Sequence, residues 1–491
     1  MLHSSELHLL ASSCAGPIVC GHRDVPGLGI GTRMDVEQFR IATRSMRLSL
    51  LASMALAALM PVVVAGEPGE EVDAPWKQHA IDQGLNGADG VRLDDADGDG
   101  DLDVAVGWEQ AGASRLYLNP GPGKGAKEPW PKIDVGPAMA VEDAVMADVD
   151  SDGRMDVISS TEGRSRSLLV HFAPQVGAKL QATAWSTLAF PKELAGDRMW
   201  MFATTFDVNI DGHLDIIVGG KGSNAKIAWL EAPTANKRDL GSWNFHVIGD
   251  VGWVMSLVGE DMDGDGDLDI VLTDRRTTVG LQGARWLENP GLGEKLRKEW
   301  RNHFISAPNV EAMFLRLHDL DGDGDLDVLV PLRLNEVKDP QDGDFSDPAR
   351  NPSRLRWYER LDATGRNWRR HEIAYPANVG KSKGVAVGDV DGDGRLDIVL
   401  SHASARAPMS GIVWLSYEQS VFDPVWRRNE ISGPVGSKYD RVELLDLDGD
   451  GDLDALTTEE NYGEGSAGLG VIWYENPSPT LKGGDGNEFG R

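Results

Sequence analysis

Seven stretches of the chain set carboxylates at alternate positions around a fixed glycine, in the pattern D-x-(D/N)-x-D-G-x-x-D. They read DADGDGDLD (95–103), DVDSDGRMD (148–156), DVNIDGHLD (207–215), DMDGDGDLD (261–269), DLDGDGDLD (319–327), DVDGDGRLD (389–397) and DLDGDGDLD (446–454). The side chains at positions 1, 3, 5 and 9 are Asp95, Asp97, Asp99 and Asp103, then Asp148, Asp150, Asp152 and Asp156, then Asp207, Asn209, Asp211 and Asp215. The series continues with Asp261, Asp263, Asp265 and Asp269, with Asp319, Asp321, Asp323 and Asp327, with Asp389, Asp391, Asp393 and Asp397, and with Asp446, Asp448, Asp450 and Asp454. Alternate residues of a tight loop can turn inward together, and hard oxygen donors at that spacing suit a hard divalent cation, Ca²⁺ above all. Glycine at position 6 permits the bend; position 7 offers a carbonyl and position 9 closes the sphere. Without an ion the same carboxylates repel one another at neutral pH.

An EF-hand would place Glu at position 12. Here that position holds Val106, Ser159, Val218, Leu272, Val330, Leu400 and Thr457. None ligates as Glu does, so position 12 belongs to a following strand and the ions, up to seven, are structural. The net charge of −30 agrees. It argues against nucleic-acid binding and asks for counter-charge.

The loops recur at intervals of 53, 59, 54, 58, 70 and 57 residues, the signature of a repeat architecture. Each is followed by a β-branched run such as VAVGW or IVLTD and preceded by another such as AVMA. Each therefore joins two strands. Every period adds an aromatic strand (RLYLNPG, IAWLEAP, ARWLENPG, VIWYENP) and a W-x-x-H-like strand headed by Trp76, Trp130, Trp185, Trp243, Trp300, Trp368 or Trp426. Four strands in each of seven repeats predict an all-β, seven-bladed β-propeller over 76–477. The first element is of the outer-strand type and the last of the third-strand type. The chain's start is thus expected to complete the last blade and hide its edge.

Outside the repeats, residues 1–65 have a different character. Arg47 precedes an apolar run from Leu48 to Val64, and Val63 and Ala65 suit a cleavage site, the layout of a secretory signal peptide. A start at Met46 would leave 1–45 untranslated, and one at Met34 part of that stretch. Pro61 interrupts the run, which argues against a membrane span, so the mature chain is expected to be secreted, periplasmic or at the cell surface. Both cysteines, Cys14 and Cys20, fall in this segment. Residues 66–75 read as a short linker and 478–491 as a disordered tail.

The loops resemble those of FG-GAP/VCBS repeat proteins, the integrin-α-like calcium-loop propellers, across residues 76–477. The dipeptide signatures of that family are poorly kept. The resemblance implies calcium loops on one face, between the first and second strands of each blade.

Function is then expected on the opposite face. The positions six before each loop are Asp89, Glu142, Met201, Met255, Met313, Lys383 and Asp440. Just past the second strands lie Glu109, Glu162, Lys221, Arg275, Arg333, His402 and Glu459, with Arg198, Trp200, Trp253, Tyr439 and Arg441 nearby. Aromatic residues among charges suit sugars, particularly acidic ones. The primary expectation is a binding module for a carbohydrate or extracellular protein. One alternative is a lyase or dehydratase/isomerase acting on oxidised or uronic sugars, with His402, Tyr439, Arg441 and Glu162 as candidate catalytic groups; another is an adhesion protein. His79, His246, His303 and His371 lie on outer strands of different blades and are expected to pack locally. No nucleophile elbow, zinc motif, phosphate loop or haem motif is present.

Overall fold

A computed structural model describes residues 74–174, 184–195, 198–276, 281–308, 310–334, 354–460 and 468–477. All belong to the compact unit Glu70–Arg491. The expected signal region, both cysteines, most of the linker and the tail lie outside the described residues.

Seven antiparallel sheets form a propeller ring, as the repeat predicts. Blade 1 is β2 (Ala88–Asp94), β3 (Asp103–Trp108), β4 (Ala113–Tyr117) and β5 (Lys132–Pro137). Blade 2 is β6 (Val141–Ala147), β7 (Asp156–Thr161), β8 (Leu168–Phe172) and β9 (Ser186–Ala189). Blade 3 is β10 (Met199–Phe206), β11 (Asp215–Lys221), β12 (Lys226–Glu231) and β13 (Asn244–Asp250). Blade 4 is β14 (Val254–Glu260), β15 (Asp269–Asp274), β16 (Gly283–Glu288) and β17 (Arg301–Phe304). Blade 5 has a divided inner strand, β18 (Glu311–Ala312) and β19 (Arg316–His318), then β20 (Asp327–Leu334), β21 (Arg354–Arg360) and β22 (Trp368–Ile373). Blade 6 is β23 (Lys381–Gly388), β24 (Asp397–Ala403), β25 (Ile412–Ser416) and β26 (Arg427–Glu430). Blade 7 is β27 (Tyr439–Leu445), β28 (Asp454–Glu459) and β29 (Gly470–Glu475), completed by β1 (Lys77–Asp82) from the chain's start.

That closure follows from the sequence of the outer strand. His79 of β1 sits opposite Trp473 of β29, stacks on it at 4.4 Å and reaches Glu475 at 2.6 Å through Nε2. The same triplet recurs as His246–Trp229–Glu231, His303–Trp286–Glu288 and His371–Trp357–Glu359. Each histidine is held within its own blade, as expected for local packing. The W-x-x-H spacing thus docks an outer strand on its neighbour: the histidine covers an indole face and the glutamate fixes it.

The core follows the ring. Seven clusters of buried apolar side chains lie one at each junction between adjacent blades. Parallel stacking of blade faces buries each sheet on both sides, which is why the second strands read as unbroken apolar runs.

Two backbone features escape the pattern of the sequence. All seven inner strands shift register near their start, for example between Asp89 and Arg92 and between Tyr439 and Val442. Such bulges twist the strand and re-aim the side chains beside them. In blade 5 the inner strand divides as well. Pro331 of β20 has no N–H to give it, and Phe314 N–H turns to Lys383 O in the next blade at 3.2 Å.

Candidate functional site

The seven aspartate loops all join the first strand of a blade to the second, so they share one face. Each loop is wound on its own first aspartate. In the first, Asp95 Oδ1 accepts from Gly98 N at 2.7 Å and Asp99 N at 3.1 Å, while Oδ2 accepts from Gly100 N at 3.1 Å. Position 9 works as a clamp. Asp103 Oδ2 accepts from Ala96 N inside the loop at 2.8 Å, and Oδ1 accepts from Asn119 N beyond the third strand at 2.8 Å. Asp156, Asp215, Asp269, Asp327 and Asp454 repeat both bonds. Burial pushes these carboxyls up, to about 6 for Asp103 and about 7 for the other position-9 aspartates.

Position 4 adopts the left-handed conformation as well as position 6. Its φ is +80° at Gly98 and +75° at Gly264, and also +61° at Ser151 and +55° at Ile210. The donor set fits a dication. Oxygens of Asp95, Asp97 and Asp99, of Asp148, Asp150 and Asp156, and of Asp261, Asp263 and Asp265 lie within 4.8 Å of one another. Asp263 Oδ1 is buried with no hydrogen-bond partner. A cation from the following blade already leans on several position-3 carboxylates: Arg238 on Asp150, Arg366 on Asp263 at 3.3 Å and Lys127 on Asp448 at 2.6 Å.

The opposite face lacks this regularity. Asp89, Asp440 and Glu460 bring three carboxylates within 4.8 Å of one another at the channel mouth. Lys383 reaches Asp440 at 2.6 Å, and Lys438 pairs with Glu460. Burial raises Asp89 well above the usual carboxylate range, with the charges of Glu460 and Asp440 adding to it. Burial acts the same way on Asp440, yet the Lys383 ammonium holds it at about 2. Burial lifts Glu460 to about 7 against the pull of both lysines. With Asp89 protonated, two carboxylates face two ammonium groups and the network is neutral. A second cluster joins Glu109, Glu142 and Glu162 with Lys221, 3.3 Å from Glu142.

Blades 4 and 5 carry the reverse charge. Arg275 and Arg276 both pair with the buried Glu311, the latter at 3.3 Å. Arg333 is crowded by them, and burial followed by Arg275 lowers its guanidinium to about 10. Trp253 lies against Arg275 at 4.6 Å and Lys221 at 4.8 Å. Three arginines around one glutamate leave a local excess of positive charge beside an indole.

Several residues read as rim positions are interior. Met201, Met255 and Met313 pack in one core cluster, and Trp200 is fully buried in another. His402 is fully buried, its Nδ1 3.1 Å from Gly411 O, and burial lowers it to about 4. Tyr439 is fully buried and bonds Val435 O at 2.6 Å and Tyr474 Oη at 2.8 Å; burial raises its phenol. Glu162 sits at the rim on Lys221, and Arg441 lines a cavity in the channel that includes neither His402, Tyr439 nor Glu162. Glu459, named by position, is spent on Ser437 N, Lys438 N and Leu469 N; its neighbour Glu460 is the channel residue. Strand alternation was the signal that separates the two.

No curated protein matches the chain. Among solved structures, one titled for specific recognition of non-reducing terminal N-acetylglucosamine by an Agrocybe aegerita lectin is 15% identical, covers 71% of this chain and 81% of its own, and has a TM-score of 0.41. The Dos1 propeller is 8% identical, covers 76% of this chain and 75% of its own, and has a TM-score of 0.39. The FG-GAP-like repeat matches residues 95–159, 207–272 and 261–330, spans that begin at three of the aspartate loops. The chain is a seven-bladed β-propeller carrying FG-GAP-like repeats in three places.

Proposed function

We propose that the protein is a secreted binding propeller, stabilised by Ca²⁺ on its loop face, that takes an acidic carbohydrate on the opposite face. The observation that carries the ligand class is the cationic patch of Arg275, Arg276 and Arg333 around the single carboxylate of Glu311, with Trp253 beside it. In a chain of net charge −30, a local positive excess is a specific feature rather than a background. Arg forks match carboxylates bidentately, and an indole offers a face to sugar C–H groups. Secretion is supported by the signal-like layout of residues 46–65 and the lack of cysteine after residue 65.

Ca²⁺, when bound, supplies the positive charge that offsets each loop's carboxylates and stiffens the loop. Positions 1, 3, 5 and 9 would hold it. The chain's own part is to wind the loop on the first aspartate and to clamp it through position 9, whose oxygens keep a second lone pair free. The lyase alternative needs an accessible acid and base, and both His402 and Tyr439 are buried.

A glycan array of neutral and uronate oligosaccharides tests the reading. The expected result is retention of uronate-bearing glycans that is lost in the Arg275→Ala/Arg333→Ala protein. Retention that ignores charge, or survives both substitutions, sinks it.

A further inference from the structure

The loop side of the channel holds a second site, independent of the face just discussed. A cavity of about 450 Å³ opens there between the inner strands of blades 1, 4, 5, 6 and 7. Leu93, Glu260 and Leu326, which line it, stand immediately before the loops or the second strand, so it occupies the loop half of the channel. Three arginines line it: Arg92, Arg316 and Arg441.

Two of the three are neutralised where they stand. Arg92 grips Asp143 with both arms, at 2.7 Å and 2.8 Å. Arg316 pairs with Glu443. The Arg441 guanidinium has no ion-pair or hydrogen-bond partner among the described residues, and its Nε is buried without an acceptor. Both phenyl rings of the channel pack on it: Phe314 lies 4.6 Å and Phe202 5.1 Å from its guanidinium carbon. Burial and the charge of Arg92 lower its pKa to about 10, so it stays cationic at neutral pH.

We propose that Arg441 binds a small organic carboxylate in this cavity. A guanidinium held against aromatic rings presents its donors only along its edge, in one fixed plane. A planar oxyanion meets that edge bidentately, and a buried donor without an acceptor is costly until one arrives. The rest of the wall is largely aliphatic, including Val258, Leu315, Leu317 and Val442, which suits a short hydrocarbon chain rather than a second charge.

Butyrate, butyramide and inorganic phosphate serve as probes in titration calorimetry of the full chain at pH 7, comparing wild type with Arg441→Gln and Arg441→Lys. Butyrate is expected to bind saturably, butyramide not at all, and the glutamine variant to lose about tenfold or more in affinity, with lysine between them. Circular dichroism spectra and melting curves establish that each variant is folded before it is titrated. If the glutamine variant fails to fold, the comparison of butyrate with butyramide on wild type and the lysine variant decides. No saturable butyrate binding, equal binding of the amide, binding of phosphate in place of butyrate, or butyrate affinity unchanged in a folded glutamine variant overturns the proposal.

Discussion

The two faces of the ring are built on different rules. On the loop face, the same four side-chain positions recur in all seven blades, and in each loop the position-6 glycine N–H donates to Oδ2 of the first aspartate. On the opposite face, equivalent positions hold different residues: Asp89, Glu142, Met201, Met255, Met313, Lys383 and Asp440. A requirement that every blade shares is structural, because each blade must fold by the same means. A position that the repeat leaves free to vary can answer to one ligand. The variation is also sorted by charge: a neutral or acidic arc runs from blade 6 through blade 7 to blade 2, and a cationic arc spans blades 4 and 5. The contrast between faces can be broken at four points.

The largest effect is expected from the loop face. Binding to the native state alone stabilises by about 2.7 kcal/mol for each site held at a hundredfold excess over its Kd. With as many as seven sites, EDTA is expected to lower the Tm by more than about 10 °C, and added Ca²⁺ to restore it. A melting curve indifferent to EDTA would show that the loops stand without an ion and that the two faces do not divide labour in this way.

The second point lies on the other face. Arg275→Ala/Arg333→Ala is expected to leave the Tm within about 3 °C, since Arg333 makes no hydrogen bond or ion pair among the described residues and Arg276 remains on Glu311. Binding of a uronate oligosaccharide should fall about tenfold or more. A large loss of stability with binding intact would make the arginines structural and erase the distinction.

How far each face was legible follows from this difference. The loop template, the strands around it and the completion of blade 7 by residues 77–82 could be read because periodicity repeats the message seven times. The outer-strand histidines were legible as local for the same reason. The left-handed position 4 was visible only as five glycines in seven loops, with Ser151 and Ile210 obscuring it. The division of blade 5 hung on Pro331 alone. Contacts across the channel had no local signal. Asp89 and Glu460 meet only because the ring closes, and Arg92 finds Asp143 in the next blade. Position counting found Asp89, Asp440, Lys383 and the Glu109–Glu142–Glu162–Lys221 group, but it put His402 and Tyr439 at the surface. Those side chains instead pack around Gly411, His402 on its carbonyl and Tyr439 where its Cβ would be.

The third point tests the neutral plug at the channel mouth through pH. The Glu460 carboxyl titrates near 7 in the folded protein against 4.5 unfolded, because burial outweighs its lysine partners. The folded state therefore holds this proton more tightly. The contribution favours folding fully below about pH 4.5 and is lost as pH rises toward 7. Glu460→Gln removes the titration and also breaks the Lys438–Glu460 ion pair, so it carries a constant penalty as well. The difference in Tm, variant minus wild type, is expected to rise by a few degrees from pH 5 to pH 8, with the loop carboxylates cancelling between the two proteins. A difference that stays flat would mean that Glu460 is ionised throughout, so that with Asp89 protonated its charge and that of Asp440 are matched by Lys383 and Lys438 over the whole range.

The smallest effect returns to the loop face and asks how strictly the repeat is enforced. Ile210 occupies position 4 of the third loop at φ +55°, with its side chain 62% exposed. A β-branched residue in the left-handed region is strained by clash of Cβ with the backbone, at a cost of order 1–3 kcal/mol. Glycine relieves that strain but loses more entropy on folding, by roughly 0.5–1 kcal/mol. The balance favours Ile210→Gly by about 1 kcal/mol, or a rise of about 1–2 °C in a domain of this size. The reverse change sharpens the point. Gly322 holds the same position in the fifth loop at φ +79° with no atom near its missing Cβ, so Gly322→Ile meets only backbone strain and should lose a similar amount. Should Ile210→Gly destabilise instead, the isoleucine would be making a contact that the bare loop does not show. The third loop, which also carries Asn209 where its six counterparts have Asp, would then be the one place where the structural face has been turned to another use.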